Sequence, residues 1–206
     1  MSLKLYADSA FTSPYALSVF VALKEKGLSF ELETLDLDAA ANKNPAYRAQ
    51  ALTGRVPCLV HDGFALTESS AICEYLDEVF PAPAQPTLYP AAPQERAVAR
   101  QVQAWLRSDL PALRTERSTH TVFYQRAERP LSAAAQEDAE RLLSAAERWI
   151  QGEYLFKDWS IADTDLAVML SRLVMNGDPV PQKLKDYVAR QWQRESVQEW
   201  LKRINR

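Results

Sequence analysis

The chain has 206 residues, 47% of them hydrophobic and 25% charged, with a formal net charge of −3 at pH 7. These values are typical of a globular protein long enough for one core or two smaller ones, and they argue against charge-driven binding of nucleic acid. No apolar run approaches the roughly 20 residues of a membrane span, and the first ten residues lack a signal-peptide pattern, so we expect a cytoplasmic protein with no membrane partner.

The first quarter of the chain predicts a strand, a helix and a second strand. Residues 3–7 (LKLYA) indicate a short strand. The helix that follows has Ser13 as its cap, Pro14 in its first turn and Gly27 just after its end. Residues 29–37 (SFELETLDL) alternate apolar and polar side chains, which is typical of a half-exposed strand.

The next segments complete a β-α-β-α-β-β-α order within about eighty residues. Residues 44–47 (NPAY) indicate a short helix or an irregular turn. Residues 55–68 (RVPCLVHDGFALTE) predict two strands joined by a turn at residues 61–63. Residues 69–80 (SSAICEYLDEVF) predict another helix, with Ser69 or Ser70 as its cap.

The composition then changes. Five prolines in residues 81–93 indicate a semi-rigid linker, and everything beyond it has a helical period. We therefore predict three parts: an α/β domain over residues 1–80, a linker over 81–93, and an all-α domain over 94–206.

Cysteine and histidine chemistry is sparse. Cys58 and Cys73 do not form a C-x-x-C pair, and His61 and His120 are far apart in sequence. Neither a metal site nor a redox dithiol is expected, and both cysteines are predicted to be small buried residues.

Three motifs carry a resemblance to a known family. They are SPYALSVFVAL (13–23), GRVPCL (54–59) and LTESSAICEYL (66–76). The first is similar to the S-P-F-x-x-R-V-x-x-A-L helix start of serine-type (zeta and tau) glutathione transferases. The others are similar to that superfamily's K/Q-V-P-x-L and E/Q-S-x-A-I-x-E-Y-L segments. The chain resembles this superfamily over essentially its whole length, and the chain's sequence is most similar to the bacterial YfcF type. The resemblance implies a thioredoxin-like α/β domain followed by an all-α domain, the glutathione transferase fold.

The resemblance makes Ser13 the catalytic residue. A helix N-terminus presents unpaired N–H groups and a partial positive charge, and a hydroxyl there can donate a hydrogen bond to a thiolate. A free thiol with a pKa near 8.5 is mostly protonated at neutral pH, and lowering that pKa by roughly two units is worth about 2.7 kcal/mol. Glutathione would supply the sulfur, so the chain needs no cysteine at this position.

Other hydroxyls remain candidates for the same role. The stretch from Tyr6 to Ser13 is a residue or two longer than in typical zeta and tau sequences, which leaves Ser9 and Thr12 as reserves. Tyr6 is a further rival, since tyrosine-type family members carry their hydroxyl near the end of the first strand. The alternative for Ser13 itself is a purely structural helix cap.

The second and third motifs imply the rest of the glutathione site. Val56-Pro57 would be the family's cis-proline turn, whose backbone pairs with the cysteinyl part of glutathione like an added strand. Ser69, at a helix N-terminus, is suited to the γ-glutamyl carboxylate, and Glu68 to the α-amino group. The glycine end would meet Arg55 and, more loosely, Lys43, although either could be an ordinary exposed cation.

The helical domain offers weaker candidates. Ser160 and Asp163 form a predicted capping box with a structural role, and four tryptophans are predicted core aromatics: Trp105, Trp149, Trp192 and Trp200. A solvated face is the simplest interpretation of the arginines, but some could face an anionic co-substrate. By position alone the candidate co-substrate pocket comprises Phe11, Tyr15, Arg107, Arg114, Arg117, Phe123 and Tyr124.

The resemblance implies a cytosolic homodimeric glutathione transferase that uses glutathione as co-substrate and no metal. Its thiolate would attack an electrophile in detoxification or, under oxidative stress, a hydroperoxide, giving glutathione peroxidase activity. One alternative is a zeta-like cis–trans isomerase of maleyl compounds. The other is a non-catalytic interaction module of the same fold.

Overall fold

A four-stranded mixed sheet forms the first part of the protein; the computed structural model describes residues 2–204. The strands are β1 (Leu3–Asp8), β2 (Glu31–Leu35), β3 (Cys58–His61) and β4 (Phe64–Thr67), in the spatial order β2-β1-β3-β4. β1 runs parallel to β2, which requires a crossover, while β3 is antiparallel to β1 and to β4. The sequence-predicted strands, including the β3–β4 hairpin, are confirmed.

Three helices accompany this sheet: α1 (Pro14–Glu25), α2 (Pro45–Gln50) and α3 (Ser69–Val79). α1 ends in a Schellman motif: Gly27 has a φ of +65°, its N–H donates to the carbonyl of Lys24 at 2.9 Å, and the N–H of Leu28 donates to that of Leu23 at 3.0 Å. α3 begins one residue earlier than a Ser69 cap would place it, and two residues earlier than a Ser70 cap would. Ser69 is already helical, so the capping position belongs to Glu68 and to neither serine.

The described residues form two compact units: residues 2–88 with 196–204, and residues 89–195. The predicted boundary at residue 80 differs from this grouping because residues 81–88 are held by the first unit. The ammonium of Lys26 donates to the carbonyls of Phe80 and Pro86 at 2.9 and 2.7 Å and to Asp77 at 2.9 Å. Asp77 Oδ1 also accepts a hydrogen bond from the N–H of Leu88, at 2.8 Å.

The second unit is helical throughout its regular elements. They are α4 (Pro93–Ser108), α5 (Pro111–Glu116), α6 (Thr119–Phe123), α7 (Ala133–Trp149), α8 (Ile161–Val174) and α9 (Gln182–Trp192). A further helix, α10 (Glu195–Leu201), follows, and all of it except Glu195 groups with the first unit. α8 is buried along nearly its whole length and packs against α4, α6, α7 and α9. None of the helices in residues 2–204 combines the length and apolar character that a bilayer crossing requires.

The predicted capping box of α8 is present and is larger than the sequence indicated. The Asp163 carboxylate accepts hydrogen bonds from the backbone N–H groups of Leu155 and Ser160, and from the hydroxyls of Ser160 and Tyr187, at 2.7 to 3.0 Å. Burial raises the pKa of the Tyr187 phenol, so this donor stays protonated. Asp163 therefore orders the start of the most buried helix.

Candidate active site

Ser13 lies at the N-terminus of α1 in an extended backbone conformation. Its Oγ accepts a hydrogen bond from the N–H of Ala16 at 3.2 Å, so the predicted cap is confirmed. A hydroxyl that accepts from the helix still has its own proton to donate. Among residues 2–204 no acceptor for that proton is found, which leaves it available to an anion at the positive end of the helix dipole.

The loop that leads to Ser13 is organised by a residue that sequence reasoning missed. Asp8, only 2% exposed at the end of β1, accepts hydrogen bonds from the Thr12 N–H at 2.6 Å and the Thr12 hydroxyl at 2.9 Å. Its other oxygen accepts from the Ser13 N–H at 3.1 Å. Asp8 precedes Thr12 by four residues and Ser13 by five. This spacing is the sequence signal from which these contacts could have been predicted.

Phe11 stands at the apex of this loop with a φ of +54°, a region that non-glycine residues rarely occupy. Its carbonyl accepts a hydrogen bond from the indole N–H of Trp200 at 3.1 Å, and the two rings meet edge to face with centroids 5.0 Å apart. Trp200 is fully buried, as expected for a core aromatic, and it also contacts Phe20. The loop is thus braced by the C-terminal segment of the first unit. Tyr15, another predicted pocket residue, is half-buried in the first turn of α1.

The structure places the three rival hydroxyls differently. Tyr6 is buried in an apolar cluster with Tyr47 and Cys58, and burial raises the pKa of its phenol. Ser9 is exposed, and its N–H donates to the Leu35 carbonyl. The Thr12 hydroxyl already donates to Asp8. Each of these arrangements is less suited to holding a thiolate than that of Ser13.

The second motif forms an ordered turn directly before β3. The Val56–Pro57 peptide bond is cis, and Val56 lies just outside the β3 ladder, which starts at Cys58. The Tyr47 hydroxyl donates to the Arg55 carbonyl at 2.7 Å, which ties the turn to α2. The side chains of Arg55 and Lys43 are both exposed.

The third motif forms the start of α3. Ser69 is 3% exposed at the first helical position, and the exposed Glu68 precedes it with a φ of +71°. Backbone strain of this kind, worth about 1–3 kcal/mol, concentrates at ligand-binding positions. Glu68 and Ser69 thus present a carboxylate and a helix N-terminus side by side.

The predicted pocket residues of the second unit are engaged with other groups. Arg117 is 4% exposed, and its guanidinium forms a two-pronged ion pair with Asp178 at 2.7 and 2.8 Å, which assigns it a structural role instead of the predicted contact with substrate. Arg107 is half-buried and pairs with Asp165 at 3.1 Å, and Arg114 donates to the Arg107 carbonyl at 2.7 Å.

The aromatic pair of that unit divides into one core residue and one surface residue. Phe123 is 2% exposed and packs edge to face on Trp192, which makes it part of the core. Tyr124 is 36% exposed and stacks on His120 with ring centroids 5.2 Å apart. Of this pair, only Tyr124 has the exposure that contact with a small molecule requires.

Comparison with known families matches both parts of the chain. Residues 12–79 match the glutathione S-transferase N-terminal domain, and residues 93–204 match the glutathione S-transferase C-terminal domain. The chain belongs to the glutathione S-transferase family.

Individual relatives agree with this assignment. Protein LigF of Sphingobium sp. is 38% identical over 106 residues, covering 52% of this chain and 40% of LigF. Maleylacetoacetate isomerase of Pseudomonas aeruginosa is 39% identical over 114 residues, covering 54% of this chain and 51% of the isomerase. The match therefore spans about half or less of these curated relatives. A crystal structure of a glutathione transferase homolog from Burkholderia gl BGR1, with bound glutathione, is 48% identical and has a TM-score of 0.81 over 99% of this chain and 98% of that one.

Both cysteines of this glutathione S-transferase are buried, as predicted, and neither forms a disulfide; burial raises the pKa of the Cys58 thiol to about 11. Because only the thiolate is nucleophilic, we expect neither cysteine to react with an aromatic disulfide reagent at pH 7.5 until the protein unfolds. Counting the released thiolate with and without urea measures this directly. Rapid release of the reagent's thiolate by the native protein would contradict this prediction.

No metal-binding cluster of three or more His, Cys, Asp or Glu residues occurs among residues 2–204.

Proposed function

We propose that the protein is a glutathione transferase in which the Ser13 hydroxyl donates a hydrogen bond to the thiolate of bound glutathione. The main support for this proposal is the geometry of the Ser13 cap. Ser13 accepts from Ala16 at the start of a twelve-residue helix, and its proton is free for a ligand. Bound glutathione in the Burkholderia homolog supports the choice of thiol. A charge-assisted hydrogen bond and the helix dipole both favour the ionised sulfur.

The remaining motifs supply groups for the tripeptide. The backbone of Val56 is proposed to pair with the cysteinyl residue, in the manner of an added strand. Ser69 at the start of α3 would hold the γ-glutamyl carboxylate and Glu68 the α-amino group. The exposed cations Arg55 and Lys43 are proposed for the glycine carboxylate.

The activated thiolate has two proposed uses. With an electrophilic carbon, the sulfur forms a C–S bond and a leaving group departs with the bonding electrons. With a hydroperoxide, the sulfur attacks oxygen, the O–O bond breaks, and an alcohol and a glutathione sulfenic acid result. A second glutathione then displaces water to give glutathione disulfide. The chain needs no cysteine of its own in either reaction.

One relative favours a second candidate function. The similarity to maleylacetoacetate isomerase over half of this chain supports cis–trans isomerisation of a maleyl compound, with glutathione added and released again. Incubation with a maleyl substrate distinguishes the two functions, because isomerisation changes the double bond without consuming thiol.

The proposal includes a cytoplasmic homodimer, as the family resemblance implies. On the first unit, four large apolar side chains are exposed, and a dimer interface could cover some of them: Leu37, Leu52, Phe64 and Val79. Light scattering of the purified protein measures the mass and so decides between monomer and dimer.

Titration of bound glutathione tests the function. The ultraviolet absorbance of its thiolate, recorded across pH, should show ionisation near neutral pH on the wild-type protein and well above it on Ser13→Ala. Identical titrations would transfer the role to Ser9, Thr12 or Tyr6. If glutathione did not bind at all, the non-catalytic interaction module would be the correct interpretation.

A further inference from the structure

We infer that Asp8 is a positioning residue that selects Ser13, among the neighbouring hydroxyls, as the thiolate donor and fixes its place. This inference rests on the proposed function of Ser13. Asp8 itself lies under the loop, nearly fully buried, and its carboxylate makes three hydrogen bonds to the two residues that end the loop.

The loop geometry shows what Asp8 controls. After β1 the chain reverses, and the N–H of Phe11 donates to the Asp8 carbonyl at 3.1 Å. The Asp8 carboxylate also accepts hydrogen bonds from the N–H groups of Thr12 and Ser13. Asp8 thus holds the turn through its backbone and its carboxylate together. Trp200 holds the same loop at another point, through its hydrogen bond to the Phe11 carbonyl.

The adjacent hydroxyls of Thr12 and Ser13 differ in whether their protons already have an acceptor. The Thr12 proton is committed to Asp8, because a carboxylate only accepts. Ser13 gives its N–H to the same carboxylate, and its Oγ accepts from Ala16, so its hydroxyl proton is the one left for a ligand. Asp8 therefore separates a structural hydroxyl from a functional one at neighbouring positions.

The charge of Asp8 and its hydrogen bonds act on a bound thiolate in opposite directions. A nearby carboxylate disfavours a second negative charge, so loss of that charge alone would promote ionisation of the thiol. Loss of the hydrogen bonds would release Ser13 from its position and hinder ionisation. The sign of the change therefore identifies which effect dominates, and we expect the hydrogen bonds to dominate.

The test compares wild type, Ser13→Ala and Asp8→Asn in the glutathione titration and in steady-state turnover. Asparagine has nearly the same shape but replaces one acceptor oxygen with a donor, so at least one of the three bonds must break. We expect the thiolate fraction at pH 6.5 to fall about five- to tenfold and kcat to fall in proportion. The KM for glutathione should change less than twofold, because the groups proposed to bind the peptide are untouched.

Asp138→Asn is the matched control. Asp138 is another buried aspartate, 6% exposed, that accepts from the N–H groups of Ala112 and Leu113 at 2.9 and 3.1 Å at the start of α5. Its replacement should lower the melting temperature comparably while leaving the glutathione titration in place. This separates a positioning effect from general destabilisation.

The outcomes are distinct. If wild type and Ser13→Ala titrate alike, the proposed function fails, whatever Asp8 does. If those two differ but Asp8→Asn shows an unchanged or enlarged thiolate fraction, the inference about Asp8 is overturned and the function stands. Should Asp8→Asn not fold, Thr12→Val removes the hydroxyl contact alone and keeps both backbone contacts. It should lower the thiolate fraction to a smaller extent, and no decrease would overturn the inference.

Discussion

Replacing Ser13 with alanine is expected to lower kcat/KM for conjugation of glutathione to an aryl halide about 100-fold at pH 6.5. Removing one donor from a developing or resident anion costs about this much in other enzymes, and a comparable loss of thiolate would account for it here. The deficit should narrow as the pH is raised, because the thiol of glutathione then ionises without help. Stopped-flow and steady-state rates between pH 6 and pH 9 measure the profile.

Ser13→Thr is the control for this substitution, because threonine retains both the cap and a hydroxyl. It should keep most of the activity that alanine loses. The alanine variant should remain folded, since loss of an N-cap side chain costs about 1 kcal/mol. A rate deficit that stays constant across the pH range would contradict thiolate stabilisation by Ser13.

Replacing Lys26 with methionine is expected to lower the free energy of unfolding by about 3–5 kcal/mol. The ammonium is fully buried, and each of its three protons has an acceptor: Asp77, the Phe80 carbonyl and the Pro86 carbonyl. Methionine has a similar length but removes the donor of two carbonyls and the cation of Asp77, whose carboxylate then keeps the Leu88 N–H; losing one partner of a buried ion pair costs far more than losing an exposed pair. Urea unfolding, with the midpoint and slope fitted together, measures the change.

Lys24→Met supplies the comparison two residues away on the same helix. Lys24 pairs with Glu199 at 2.8 Å, but both side chains are about one-third exposed. Such a surface pair contributes at most about 1 kcal/mol. If both variants lost the same free energy of unfolding, burial would not be what determines how much the Lys26 contacts stabilise the protein.

Local patterns were enough to predict the order of strands and helices. The Ser13 cap, the glycine stop of α1 and the β3–β4 hairpin each depend on a few consecutive residues, and each is confirmed. The start of α3 was predicted one or two residues late, because Ser69 and Ser70 both resemble caps. The strained Glu68 takes that position instead.

Contacts distant in sequence could not be predicted in this way. Lys26 belongs to a polar KEK run that resembles a solvated helix end, yet its acceptors lie more than fifty residues further on. Arg117 could be taken for a ligand-facing cation because its partner, Asp178, is 61 residues away. Asp8 is close to Ser13 in sequence, but the contact exists only because the chain turns back through the positive φ of Phe11.

The placement of Trp200 bears on how the protein is made. Residues 196–204 group with residues 2–88, so the first unit is not a continuous piece of chain. During synthesis on a ribosome, about 190 residues must be added after Phe11 before Trp200, whose indole binds this loop, has been made. The first unit is therefore completed only after the second unit has been synthesised, and a fragment lacking residues 89–204 would expose the faces of Phe11 and Phe20 that Trp200 covers.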